Sequence, residues 1–222
     1  MSNLDKWASE LQKEVYQTWK EKYLTWKPGF KVFYGPVKQN PELMIVSQNP
    51  GGGANNFKVE DLSRFQIGDF SPQQEHAYKL NHTLATTLRN LFDDKTAILY
   101  KAVTFPMIFF RSRSTKELSG IERFMYHEME RYSLLKAREI IQKVKPQKIF
   151  VIGFKSHDLL ERTLGLFDSE EFLHMKKDGR LLARIAQKDG ISIFSSIHIS
   201  GARLNNNEKL FLKKELHKFL ET

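Results

Sequence analysis

The 222-residue chain contains no cysteine. That absence excludes disulfides, zinc–thiolate centres and cysteine-ligated iron–sulfur clusters, and it permits a reducing compartment. No apolar run approaches the ~20 residues of a membrane-spanning helix. The N-terminal stretch MSNLDKWASELQKEV lacks the apolar core of a secretory signal. A cytoplasmic protein with no membrane partner is therefore expected. Proline (7) and glycine (12) are sparse, so no Pro/Gly/Ser tract separates two domains, and there is no internal repeat. His127-Glu128 opens like a zinc-protease helix, but Arg131 stands where the second histidine is needed, and no GxSxG elbow occurs. Metal-dependent proteolysis and serine-hydrolase chemistry lose their usual signatures.

What is present is a globular composition, 41% hydrophobic and 27% charged, in a chain long enough for one sizeable domain over 1–222. The net charge is +9. Such an excess describes either a solvated lysine-rich face or a surface for a polyanion.

Apolar periodicity divides the chain. A helix is expected over about 3–27, with Tyr16, Trp19, Tyr23 and Trp26 on one packing face and Pro28-Gly29 ending it. Leu43–Ser47 is a continuous apolar run of the kind buried in a parallel sheet. The next ~30 residues are irregular, and a loop that long inside a compact domain suggests function. Leu80–Phe92 is helical in pattern. Thr96–Thr104 is expected as a second strand, and a basic loop, RSRSTK, follows it. Ser119 and Glu122 fit a capping box opening a long helix that Pro146 ends. Lys148–Ile152 is a third strand. Ser156 can cap a short helix to Leu164. Leu181–Ala186 suits a basic edge strand or hairpin, and Ile191–Ile197 a last strand. Asn205 and Glu208 stand at capping spacing for a closing helix to Leu220. Apolar strands alternating with helices predict an α/β protein, a three-layer α/β/α sandwich on a mostly parallel sheet of about four strands. Ligands of such sheets bind beyond the carboxyl ends of the strands.

Two strands end in unusual polar sequence. After Leu43–Ser47 comes Gln48-Asn49-Pro50-Gly51-Gly52-Gly53, which has three readings. Its glycines serve a tight turn at positive φ; or backbone amides cradle a phosphate, although GGGANN is neither a Walker loop nor GxGxxG; or Asn49 is a catalytic polar group, with bare backbone letting a substrate approach. After the last strand comes His198-Ile199-Ser200-Gly201. Across a parallel sheet these two segments are expected to meet.

Together the segments resemble the two signature motifs of the uracil-DNA glycosylase superfamily. There, one strand runs into a G-x-[DN]-P motif and a late strand into H-P-S-P or a relative. Gln48-Asn49-Pro50-Gly51 is most similar to the Asn-Pro-Gly form of the single-strand-selective and mismatch-specific branches, and His198 and Ser200 match the second motif. The similar plan spans roughly residues 30–220. The resemblance implies a monomer that needs no cofactor or metal and acts on DNA, single-stranded or as a mispaired duplex. It implies hydrolysis of a base–sugar bond through an oxocarbenium-like transition state, with a base flipped from the stack. Asn49 would orient the attacking water and His198 would hydrogen-bond the departing base. Gln48, Pro50, Gly51, Gly52, Ser200 and Gly201 would line the substrate, with Phe57 or Phe65 stacking on the base. Arg111, Arg113, Lys116, Lys155 and Ser156 would contact DNA, and Arg203 or Leu204 would fill the space the base leaves. A second basic group, Lys176, Lys177, Arg180, Arg184 and Lys188, is a further candidate track.

The chain departs from the family in one informative place. Uracil readers carry an asparagine near the end of the second strand, whereas LYKAVTFPMIFFRS has none. Lys101 or Thr104 stands near the expected position, and lysine offers donors only. Ile199 also replaces the proline of the second motif. A non-catalytic nucleic-acid- or nucleotide-binding protein on the same fold is the alternative.

Overall fold

The computed structural model describes residues 2–51, 83–114, 117, 120, 122–175, 179–200 and 202–222. The first helix, α1, spans Asn3–Lys22. Ser2 and Asp5 close a reciprocal capping box at its start. Leu4, Ala8, Leu11, Val15 and Trp19 recur along one face and are buried. The helix stops at Lys22 rather than near residue 27. The Trp26 carbonyl accepts both the Trp19 indole N–H and the Gly29 amide, so Tyr23–Gly29 turns back beneath the aromatic face. Trp19 and Tyr23 are core residues, as the aromatic spacing predicts.

β1 is Leu43–Ser47. α2 is Thr83–Phe92, and a 3₁₀ turn at Asp93–Lys95 leads into the single-turn α3, Thr96–Leu99. β2 is Val103–Pro106. The second strand thus begins later than expected. The short run Ala97–Tyr100 has no periodicity that separates strand from helix, and Leu99 is buried from a helical turn. α4 is Arg123–Val144. Glu122 is its N-cap residue and makes no side-chain cap bond, so the expected cap at Ser119 is corrected by three residues; Ser119 itself lies outside the described residues. Lys145, left-handed at φ 54°, ends the helix before Pro146. β3, Lys148–Ile152, is followed at once by α5, Phe154–Leu164. β4 (Ser169–His174), β5 (Leu181–Lys188), β6 (Ile191–Ser196) and α6 (Asn206–Glu221) complete the chain. Asn205 and Glu208 make the expected capping box at α6.

The sheet has six strands in the order β2-β1-β3-β6-β5-β4, not about four. The first four are mutually parallel, and β5 and β4 add an antiparallel hairpin beyond β6. β5 is therefore interior and β4 is the edge. SEEFLH, the β4 sequence, is exposed at five of its six positions, so it carries none of the apolar signal that marks the buried strands.

Successive side chains of a strand point to opposite faces, and both faces are covered. Met44, Val46, Val103, Phe105, Ile149 and Val151 pack with α1 and α4. Leu43, Ile45, Phe150, Ile152 and Phe194 pack with α2 and α6. Each such fully buried side chain contributes about 1.5–3 kcal/mol, and this two-sided burial makes these strands apolar throughout. The consequence for function is geometric. The carboxyl ends of β1, β2, β3 and β6 open on one edge of the sheet, and the chain passes from β1 to opposite neighbours, β2 and β3. A crevice is expected where the chain turns to opposite sides in this way.

Candidate functional site

At that edge the backbone after β1 is held residue by residue. The Met107 and Ile108 amides donate to the Ser47 and Gln48 carbonyls at 2.7 and 2.8 Å, and Ser112 N donates to Pro50 O at 3.1 Å. The segment following β2 thus continues the ladder past the strand and fixes Gln48–Gly51. Half-buried Asn49 uses Nδ2 twice, donating to Pro50 O at 3.0 Å and to Ser112 Oγ at 2.8 Å. Ser112 Oγ in turn donates to Ser114 O at 2.9 Å. Gln48 is only 8% exposed, and its buried Nε2 has no hydrogen-bond partner among the described residues.

Gly51 has an ordinary, non-positive φ, and a Cβ built there meets nothing within 4 Å among the described residues. The positive-φ turn explanation for the glycines therefore fails at Gly51, where the described residues leave the space beside the backbone open. Gly52 and Gly53 lie outside the described residues.

His198 follows β6. Ala202 N donates to its carbonyl at 2.8 Å, and buried Ile199 anchors the segment in the core on the α2/α6 side. Isoleucine at position 199 thus gives the segment an apolar anchor. Gly153, between β3 and α5, backs the imidazole: a Cβ there would lie 3.4 Å from His198 Cδ2. Solvent reaches His198 from the open side, while the protein behind it desolvates the ring. That burial lowers its pKa below 6.5, partly opposed by its own backbone carbonyl. The imidazole is neutral at pH 7. Ser200 Oγ makes a long 3.4 Å contact with Nδ1.

Ser47, Gln48, Asn49, Gly51, Ile152, His198 and Ser200 line one cleft of about 450 Å³, together with Thr83, Leu84, Ser112, Arg113 and Ser114. That volume is in the range of small-ligand sites. The structure thus brings Asn49 and His198 to one cavity from strands that are not neighbours, with β3 between them. Ser112, Ser114 and Gly153 did not stand out in the sequence. RSRSTK stands out for its charges, yet the hydroxyl between the first two of them, Ser112 Oγ, is what reaches Asn49.

Other expected residues are placed differently. Lys101 precedes β2, and Thr104 is its second residue, so neither stands at the strand's carboxyl end and neither lines the cleft. Lys101 instead lies close enough to Lys38, ahead of β1, to add to the lowering of that lysine's pKa by burial. Arg111 donates from Nη1 to Gly51 O at 2.9 Å and from Nε to Phe30 O at 3.3 Å, so its guanidinium braces the cleft wall. Ser156 corrects two expectations. It is not the α5 cap, because Gly153 is, and it does not face a partner. It is 1% exposed, and its hydroxyl donates to Ile152 O at 2.7 Å. Arg113, Lys155 and Arg203 are exposed. Half-buried Leu204 packs beside Ile199 and lines a separate groove of about 300 Å³ between α2 and α6. Gly52, Phe57, Phe65, Lys116 and Gly201 lie outside the described residues, as do Lys176 and Lys177.

The remaining cations of the second basic group are paired. Arg180 meets Glu208 at 2.7 Å, Arg184 meets Asp158 at 3.5 Å, and Lys188 meets Asp168 at 3.3 Å. A rival constellation sits in the core: His157 Nδ1 is 2.6 Å from Ser195 Oγ, and Nε2 is 2.9 Å from Glu170 Oε1. The spacing is that of a nucleophile, base and orienter. Ser195 and His157, however, are 0% and 1% exposed, so no substrate can reach the hydroxyl. The trio ties α5 and the edge strand β4 to β6. Among the described residues, no three His, Asp or Glu side chains gather to hold a metal, and no helix is long and apolar enough to cross a membrane. No protein-family model matches the chain, and no curated protein matches it by sequence.

Proposed function

We propose that the protein is a DNA glycosylase of the uracil-DNA glycosylase type, built on a three-layer α/β/α sandwich. It hydrolyses the bond between deoxyribose and a deaminated or damaged base, uracil by default. The observation that carries this reading is the convergence of Asn49 and His198 on one cleft at the carboxyl edge of the sheet. In the reaction the C1′–N bond breaks and its electron pair leaves with the base. Water adds to C1′ and loses a proton to solvent, and the base gains one. Asn49 is neutral and cannot act as a strong base; its Oδ1 orients the water. His198 stabilises the negative charge that grows on a base carbonyl by donating a hydrogen bond, which a neutral imidazole can do from Nε2 when Ser200 donates to Nδ1. Gln48 lines the cleft with its amide nitrogen buried, and Lys101 and Thr104 do not reach the cleft, so the group that reads the base edge is not among these three. Arg113, Lys155 and Arg203 supply exposed positive charge along the same edge for phosphates.

The test is cleavage of a labelled single-stranded oligonucleotide carrying one uracil, followed by alkali to cut abasic sites. Hypoxanthine, xanthine and mispaired duplexes complete the substrate panel. Asn49→Ala and His198→Ala are each expected to cost roughly 100-fold or more in kcat. A wild-type protein that binds these DNAs but cleaves none of them would establish the alternative, a non-catalytic nucleic-acid- or nucleotide-binding protein. The placement of Lys101 and Thr104 away from the cleft favours that alternative.

A further inference from the structure

We propose that Ser112 is a positioning residue: its hydroxyl fixes which way round the Asn49 amide sits, so that Oδ1 rather than Nδ2 is presented to the cleft. Only the kinetic consequence rests on the glycosylase reading; the orientation itself does not.

The hydrogens decide the geometry. Ser112 Oγ carries one hydrogen, and that hydrogen goes to Ser114 O at 2.9 Å, a carbonyl that can only accept. Towards Asn49, 2.8 Å away, the hydroxyl therefore has only a lone pair to offer. The Asn49 atom facing it must be the NH₂ group. Pro50 O, 3.0 Å from the same nitrogen, is likewise an acceptor. Turning the amide over would set Oδ1 against two acceptors and forfeit two hydrogen bonds. Both amide hydrogens are thus committed inward, and Oδ1 accepts nothing from the described residues.

The frame around this contact is rigid. Ser112 is 1% exposed, its amide is bonded to Pro50 O, and it forms a parallel bridge with Gly51. Arg111, one residue earlier, is bonded to Gly51 O. The serine therefore cannot drift to follow a displaced amide.

The test compares Ser112→Ala and Ser112→Cys, which lose the hydroxyl, with Ser112→Thr, which keeps it; the cysteine variant preserves side-chain volume. Thermal melts first confirm folding. The direct readout is solvent exchange of the Asn49 side-chain NH₂ in ¹⁵N-labelled protein, assigned by its loss in Asn49→Ala. Exchange is expected to quicken about 5-fold or more in the alanine and cysteine variants and to stay near wild type in threonine. On the cleaved substrate, kcat should fall roughly 2- to 13-fold with KM unchanged, the scale of one net hydrogen bond, and threonine should restore it. Wild-type exchange in both the alanine and cysteine variants would overturn the proposal. So would a threonine variant as impaired as alanine, because packing and not the hydroxyl would then be responsible. If exchange behaves as expected but wild type cleaves nothing, the positioning role stands and the glycosylase reading falls.

Discussion

Replacing Gly153 with alanine tests how His198 is held. Gly153 has φ 89° and ψ 139°, a region that residues with a Cβ rarely occupy. Holding alanine there costs about 1–3 kcal/mol. The added methyl contributes little further cost, because its nearest neighbours, His198 Cδ2 and Cβ at 3.4 and 3.6 Å, are at ordinary contact distance. The penalty is therefore backbone strain and not a clash. At about 2–4 °C per kcal/mol for a chain of this size, the melting temperature should fall by roughly 2–12 °C. Relieving the strain by rotating the peptide would break Gly153 N to Ser196 O at 2.9 Å, and would disturb the Gly153 carbonyl that accepts from Ser156 N and His157 N. Any relaxation thus moves the end of β6 and, with it, His198. Gly51→Ala is the internal control. With an ordinary φ and open space at its Cβ, it should leave the melting temperature unchanged, or raise it by the equivalent of ~0.4–1 kcal/mol, while cleavage falls because the methyl occupies the cleft wall. Differential scanning fluorimetry on both variants decides the matter. A Gly153→Ala protein melting within about 1 °C of wild type, below the smallest shift expected, would refute the strain argument, and a Gly51→Ala protein that is both stable and fully active would refute the close-approach reading.

Two further predictions follow from charge. Burial lowers the His157 pKa below its ordinary 6.5, with Arg184 adding to the effect and Glu170 opposing it; the unfolded chain thus binds the proton first, and stability should be lost as pH falls from about 6.5 through the folded-state value. His198, shifted the same way, adds to the loss, so melting curves between pH 8 and 5 should slope less in His157→Gln, and an unchanged slope would remove His157 as the cause. With the Arg180–Lys188 cations paired, DNA contact should rest mainly on Arg113, Lys155 and Arg203, giving a log–log salt slope for single strands of about −2, at about −0.7 per phosphate; a slope several times steeper would place the track elsewhere.

The sequence was most legible where burial was symmetrical. β1 and β3 match their apolar runs residue for residue, because both faces of a central parallel strand demand apolar side chains. The α6 cap was legible because Asn205 and Glu208 satisfy each other's amides locally. β4 was not, because an exposed edge strand makes no compositional demand. Its place is set by pairing with β5, a partner whose own sequence suited either an edge or a hairpin. In the site, Asn49 and His198 could be placed by their strand ends. Ser112 could not, because its contact with Asn49 depends on how the segment after β2 extends the ladder beyond the strand. Arg111 shows the reverse failure. Its charge suggested a phosphate, yet the Gly51 carbonyl at the cleft wall and the Phe30 carbonyl take its guanidinium.

The direction of the hydrogen bonds in the cleft bears on the proposed enzyme and on a binder that holds only the phosphate backbone. Phosphate oxygens and base carbonyls, through which a backbone-reading protein holds nucleic acid, are acceptors. They are served by donors, and exposed Arg113 can provide them. Asn49 provides none, because both its amide hydrogens are spent on Pro50 O and Ser112 Oγ. What it offers is an acceptor fixed in orientation at the wall of a cleft, which suits water. His198 stands at the end of a strand two places away in the sheet as a neutral ring able to donate where charge develops. One wall that orients a donor and another that receives growing negative charge is the division that hydrolysis of a base–sugar bond requires. A protein that holds only the phosphate backbone has no use for it, and for such a binder Asn49→Ala should leave DNA affinity intact.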